Sequence, residues 1–200
     1  TLPGGADKDN GIFWGCSNLK EVEFKGAIPR IRNGTVANTG IEKIIIPDTV
    51  TSIGQGVFEN CTELVEIVIP NSVTLIEENA FYGCTSLASL TISNKTATIG
   101  KAAFSGCTEL TVLEIPPSVT DIGENAFYGC TSLDTVKLSI GVTNIGKNSF
   151  NGCTGLAHAS YTGTRAQWDS NVTKGIGNQK LYDLIQCSDE GEVNLRTNNI

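Results

Sequence analysis

The sequence predicts a repeat solenoid, a curved stack of about seven coils of 23 residues closed by a C-terminal cap, and two observations predict it. Cysteine recurs at Cys61, Cys84, Cys107, Cys130 and Cys153, and phenylalanine at Phe58, Phe81, Phe104, Phe127 and Phe150, each series advancing by 23 without a slip. A fixed period of this length makes each segment a unit that buries its apolar face only against its neighbours.

A leucine column sets the register: Leu64, Leu87, Leu110, Leu133 and Leu156, with Leu19 and Ile41 extending it upstream. After Leu64 the apolar residues are Ile67, Ile69, Val73, Ile76 and Phe81. The period-two pair Ile67 and Ile69 reads as a short strand pointing inward, and Pro70 ends it, because proline supplies no ladder donor. Pro47 and Pro116 repeat the stop. Val73 and Ile76 form a second rung. The glycines that follow, Gly54, Gly100, Gly123 and Gly146, read as turns needing unusual backbone angles, with Glu77 breaking the column. The segment from Asn79 to Cys84 reads as a single helical or 3₁₀ turn that drops phenylalanine into the core. Stacked coils would then form one continuous parallel sheet on the strand side. Around Ile41 one residue is missing: Asn38 and Thr39 stand where Gly-Cys-Thr is expected, and Val36 takes the phenylalanine column.

The pattern Leu-x-x-Ile-x-Ile-Pro, then Ser-Val-Thr-x-Ile-Gly, then Ala-Phe-x-Gly-Cys-Thr, resembles the BspA-like class of leucine-rich repeats found on surface proteins of anaerobic bacteria and of trichomonads. The resemblance covers residues 12–161. It implies a right-handed, curved leucine-rich-repeat solenoid on a cell surface, with short parallel strands on the concave face and adhesion or host-protein binding as the usual role.

Residues 1–161 are read as the solenoid, which enters in mid-repeat, and 162–200 as cap and tail. Without a cap the last coil would expose apolar surface, and Trp168 is the residue expected to cover the Phe150 and Leu156 end. At the other end either Leu2 to Trp14 improvises a cap or these residues continue a longer chain. No basic stretch followed by an apolar run of about 7–15 residues opens the sequence, so any signal peptide is expected to be removed or to lie upstream.

The composition narrows the partners. A net charge of −7 and a pI near 4.7, with no basic run, set a repulsive background for nucleic acid and anionic lipid. Neither a nucleic-acid partner nor membrane insertion is expected, and no cofactor. Six of seven cysteines, Cys16 through Cys153, share one column. That position argues for packed free thiols. Disulfide pairing and metal binding stay as alternatives: stacked coils bring the alpha carbons to about 5 Å, but parallel side chains do not offer the bridge torsion. No Cys-x-x-Cys or Cys/His metal spacing is present.

His158 is the single histidine and falls on the outward side of the last strand, which removes most acid-base and nucleophilic sets. Glu77-Glu78 and Asp189-Glu190 read as solvated turn and tail carboxylates. Of the Asn-x-Ser/Thr matches at Asn33, Asn60, Asn94 and Asn171, Asn60-Cys61-Thr62 lies in the core column, where a sugar has no room.

Specificity in a solenoid lies in outward strand positions, which tile one face. Lys43, Ile45, Glu66, Val68, Thr91, Val112 and Glu114 form the candidate ligand face. Ile45, Val68 and Val112 are apolar where water is expected, although strand propensity accounts for them equally well. The reading is a non-catalytic extracellular binding module for a protein, such as a host matrix or surface protein, or for a glycan; the alternative is a spacer within a longer surface protein.

Overall fold

The computed structural model describes residues 11–190, so Leu2 to Asn10 and the tail from Gly191 lie outside the described residues. In chain order the elements are β1 (Arg30–Ile31), β2 (Ser52–Ile53), β3 (Glu66–Val68), β4 (Leu75–Ile76), β5 (Ser89–Thr91), β6 (Thr98–Ile99), β7 (Val112–Ile115), β8 (Asp121–Ile122), β9 (Thr135–Leu138), β10 (Asn144–Ile145), β11 (His158–Tyr161), α1 (Arg165–Asn171), β12 (Thr173–Lys174), α2 (Gln179–Leu184) and β13 (Ile185–Cys187). Each coil stacks on the next with like residues over like. Ile53, Ile76, Ile99, Ile122 and Ile145 are successive register partners in parallel strands, and all five are buried.

The continuous sheet is on the second rung. Seven two-residue strands run in the order β1-β2-β4-β6-β8-β10-β12. On the leucine side, where one unbroken sheet is expected, the ladder divides into β3-β5 and β7-β9-β11-β13. The division falls beside the coil in which Ser93 replaces the proline and Thr96 the valine of the repeat. Both hydroxyls are buried and donate to the Val73 carbonyl at 3.2 and 3.1 Å, and Leu90 is only half-buried where Ile67 and Leu113 are fully buried.

The third side is a ladder of turns, which corrects the expected helical turn. Its N–H groups alternate: Tyr82 and Cys84 donate to carbonyls three residues back, Asn79 and Phe81, whereas the Asn79, Phe81 and Gly83 N–H groups donate to Lys101, Ala103 and Ser105 of the next coil at 2.7–2.9 Å. A helix cannot form because the backbone turns left-handed twice per coil, at Asn79, Ala102, Asn125 and Asn148 and again at Gly83, Gly106, Gly129 and Gly152. Inside this side the phenylalanine rings stack at 4.8–5.4 Å between centroids, with planes 3–15° apart.

The glycines Gly54, Gly100, Gly123 and Gly146 are explained differently from the sequence expectation. None has a left-handed φ. A Cβ on Gly123 would instead lie 2.6–2.8 Å from the backbone of Gly100 and Lys101, and Gly175 in the cap repeats the close approach over Gly146. The requirement is space between coils.

Cys61 through Cys153 are buried and unbridged, as packing predicts, while Cys16 is exposed, contrary to its place in the column. Each buried thiol from Cys61 to Cys153 donates to a carbonyl of the preceding coil, that of Val36, Phe58, Phe81, Phe104 or Phe127, at 3.1–3.5 Å. Burial pushes the Cys84 and Cys107 thiols well above their ordinary range, which disfavours the reactive thiolate. In the shortened coil Val36 does occupy the phenylalanine column, and Thr39 takes the cysteine position with its hydroxyl 3.5 Å from the Cys61 sulfur.

The cap extends both sheets by one strand each, β12 on β10 and β13 on β11. Trp168 is buried, its ring meeting Tyr161 at 5.2 Å and Tyr182 at 6.1 Å. The end of the phenylalanine ladder is met by Asn178, whose carbonyl oxygen accepts the Phe150 N–H at 2.8 Å and whose amide donates to the Gly146 and Gly175 carbonyls.

The terminal strand is closed by an ion pair. Arg165 holds Glu190 through two contacts of 2.6 and 2.9 Å and donates to the Ile185 carbonyl; Glu190 accepts the Cys187 N–H, and its own N–H donates to the Cys187 carbonyl. The outward backbone groups of β13 are thereby satisfied, which removes an open pairing edge. Arg165, with help from the Cys187 N–H, holds the Glu190 carboxyl below its ordinary value. Its contribution is therefore complete above the unfolded carboxylate pKa and is lost as the pH falls through the lowered folded value. We expect the stability difference between the native protein and Glu190→Gln, read from denaturant unfolding, to shrink on acidification, and Arg165→Ala to speed hydrogen exchange at the Cys187 amide.

Candidate functional site

The seven candidate residues are all exposed and lie on the leucine side of the stack. Their position follows from strand alternation: Ile67 points inward, so Glu66 and Val68 point out, and the same parity exposes Val112 and Glu114 about Leu113. Ile45 is 75% exposed, Val68 53% and Val112 45%. Ile45 and Val68 share one outward column in adjacent coils, whereas Val112 stands two coils beyond Val68 in the neighbouring outward column, past Ser89 and Thr91.

The structure divides the seven between two adjoining depressions. Lys43, Ile45, Glu66, Val68 and Thr91 line the first, about 700 Å³. Thr91, Val112 and Glu114 line the second, about 630 Å³, which lies along the division between β5 and β7 and reaches Lys137 and Thr162. Thr91 is common to both. Glu114 is paired with Lys137 at 2.5 Å, whereas Lys43 and Glu66 form no ion pair among the described residues. The first depression therefore carries three charged side chains outside any ion pair among the described residues, Lys43, Asp48 and Glu66, at an apolar floor, and the second a charge pair already neutralised.

Two exposed side chains escape the sequence reading. Val65 is 51% exposed, although it lines neither depression. Leu64 still belongs to a turn, with its N–H donating to the Cys61 carbonyl at 3.2 Å, so Val65 and Glu66, the first residue of β3, face out in succession. Lys137 had a signal, since it occupies the same outward column as Glu114.

The remaining candidates resolve simply. His158 is exposed on β11. The carboxylate pairs are more engaged than expected: Glu77 pairs with Arg30 at 2.9 Å, Glu78 with Lys101 at 3.6 Å, Asp189 accepts the Arg165 N–H at 2.8 Å, and Glu190 closes the cap. Asn60 is left-handed and donates to Asn38 at 3.2 Å, and Asn33 accepts from Arg30 and Gln55, while Asn94 and Asn171 are exposed. No helix among the described residues is long and apolar enough to cross a membrane.

A stack of about seven parallel coils, five of them carrying buried phenylalanine, cysteine and leucine at fixed stations, defines a leucine-rich-repeat solenoid. The model of the BspA type leucine rich repeat region, in six copies, matches residues 8–95 and 51–176, and the chain belongs to that family. Among solved structures it is similar to a leucine rich repeat protein of T. pallidum, with a TM-score of 0.64 and 26% identity over 78% of this chain and 77% of that one. It is also similar to a leucine-rich repeat protein of Bacteroides ovatus, at 0.59 and 26%, covering 89% of this chain and 56% of that one. A leucine rich cell surface protein of Faecalibacterium prausnitzii shares the fold at 0.55 and 24%, covering 79% of this chain and 36% of that one. No curated protein matches the chain.

Proposed function

We propose that the chain is a non-catalytic binding module of a cell-surface or secreted protein and that it recognises a protein ligand through its leucine-side strand face. The observation that carries this reading is the exposed set Ile45, Val68 and Val112 lining two adjoining depressions. Exposed apolar side chains with charged ones beside them match the composition of recognition patches on proteins. The lining also favours a protein over a glycan here, because its side chains hold no exposed aromatic ring for a sugar to stack on. Membership of a family with a neighbour named as a cell surface protein supports the location.

A binding screen against immobilised extracellular-matrix proteins and glycans tests the reading, run beside a variant carrying Ile45→Ser, Val68→Ser and Val112→Ser. Native binding to a protein that the variant loses, with unfolding curves unchanged, is the expected result; equal binding by both would remove this face as the site. The spacer reading has its own support, since the match spans only 56% of the chain from Bacteroides ovatus and 36% of that from Faecalibacterium prausnitzii. Under that reading neither form binds.

A further inference from the structure

Two Asn-Gly pairs lie among the described residues, Asn33-Gly34 and Asn151-Gly152, and the fold treats them oppositely. At Asn33 the side-chain oxygen accepts from Arg30 and from the Gln55 N–H, both at 3.1 Å, and the Gly34 N–H donates to the Gln55 carbonyl at 3.0 Å. Both reacting groups are held. Asn151 is exposed, and among the described residues neither its side chain nor the Gly152 N–H has a hydrogen-bond partner. The reason is positional: in earlier coils this glycine column donates to the next coil, as Gly106 does to Tyr128 and Gly129 to Asn151, and the cap offers Gly152 no equivalent carbonyl.

We propose that Asn151 is a site of spontaneous modification, in which its side-chain amide is converted to a carboxylate through a succinimide formed with Gly152. Solvent base takes the Gly152 N–H proton, and the nitrogen attacks the Asn151 side-chain carbonyl carbon. That N–C bond forms, the bond to the amide nitrogen breaks, and ammonia leaves with a solvent proton. Water then opens the five-membered ring at either carbonyl, giving aspartate or isoaspartate, so the net reaction consumes one water and releases one ammonia. Glycine permits the attack because it presents no side chain at the nucleophilic nitrogen, and its φ of 79° is left-handed.

The isoaspartate product adds one methylene to the main chain at the residue whose carbonyl accepts the Gly129 N–H at 2.9 Å. The modification therefore loosens the last link of the turn ladder and adds a negative charge at the cap end.

Native protein held in mildly alkaline buffer, sampled over time and mapped by peptide mass spectrometry, tests this. Deamidation is expected at Asn151 well ahead of Asn33, with isoaspartate detected by enzymatic methyl transfer and the rate rising with hydroxide concentration. In denaturant the two sites should react at similar rates, which shows that the fold makes the difference, and Asn151→Gln should abolish the isoaspartate signal in the peptide that spans residue 151. Equal rates at both sites in the native protein, or faster reaction at Asn33, would overturn the proposal, as would an unmodified Asn151 when the denatured chain reacts.

Discussion

Replacing Phe104 by alanine is expected to lower stability by about 3–5 kcal/mol, the cost of emptying a closely packed aromatic site. Phe104 is fully buried and lies between Phe81 at 4.9 Å and Phe127 at 5.4 Å. The surrounding backbone cannot collapse into the void, because the turns on either side are tied to adjacent coils: the Phe104 N–H donates to the Ala126 carbonyl and the Phe81 N–H to that of Ala103. In urea unfolding the midpoint should fall while the slope stays near its native value. Phe104→Leu should recover much of the loss, since Val36 already fills the equivalent station in the shortened coil. A cost near zero for Phe104→Ala would mean that the ring stack is not the core.

Gly123→Ala comes second, at about 1–3 kcal/mol, through forced separation of packed coils. The added methyl would press on the backbone of Gly100 and Lys101 at 2.6–2.8 Å. Glu77 shows that a side chain fits this column where the coils have settled around it, but Gly123 has glycine on both sides. Gly129 provides the contrast: its φ is +71° and a Cβ there meets open space. Asparagine, which tolerates the left-handed region, should therefore be accepted at Gly129, as it is at Asn38 and Asn60, and rejected at Gly123. Thermal unfolding of the two asparagine variants decides between backbone angle and space as the reason for each glycine.

The same contrast shows what the sequence carries. Leucine, phenylalanine and cysteine columns are legible because each sits over its own copy in the next coil, so burial and period coincide. The strand face follows from alternation, which places Val68 and Val112 outward without knowledge of the fold. A glycine at fixed spacing, by contrast, does not say whether it serves an angle or a close approach, and at Gly123 it serves the close approach. Ser93 and Thr96 were visible departures from the repeat, yet the division of the sheet beside them depends on the half-burial of Leu90, which composition does not reveal. Arg165 and Glu190 stand 25 residues apart with no periodic relation, so their closure of the last strand is a product of tertiary structure alone.

Recognition by the leucine-side face is the central claim, and a comparison of faces tests it most directly. One variant replaces Ile45, Val68 and Val112 by serine; the other replaces Tyr82 and Tyr128, exposed on the turn side, by serine. Affinity for a matrix or surface protein retained in the screen would be measured for both by surface plasmon resonance. Loss of binding by the strand-face variant with native affinity in the turn-face variant is the predicted result, and loss by the turn-face variant alone would contradict the account.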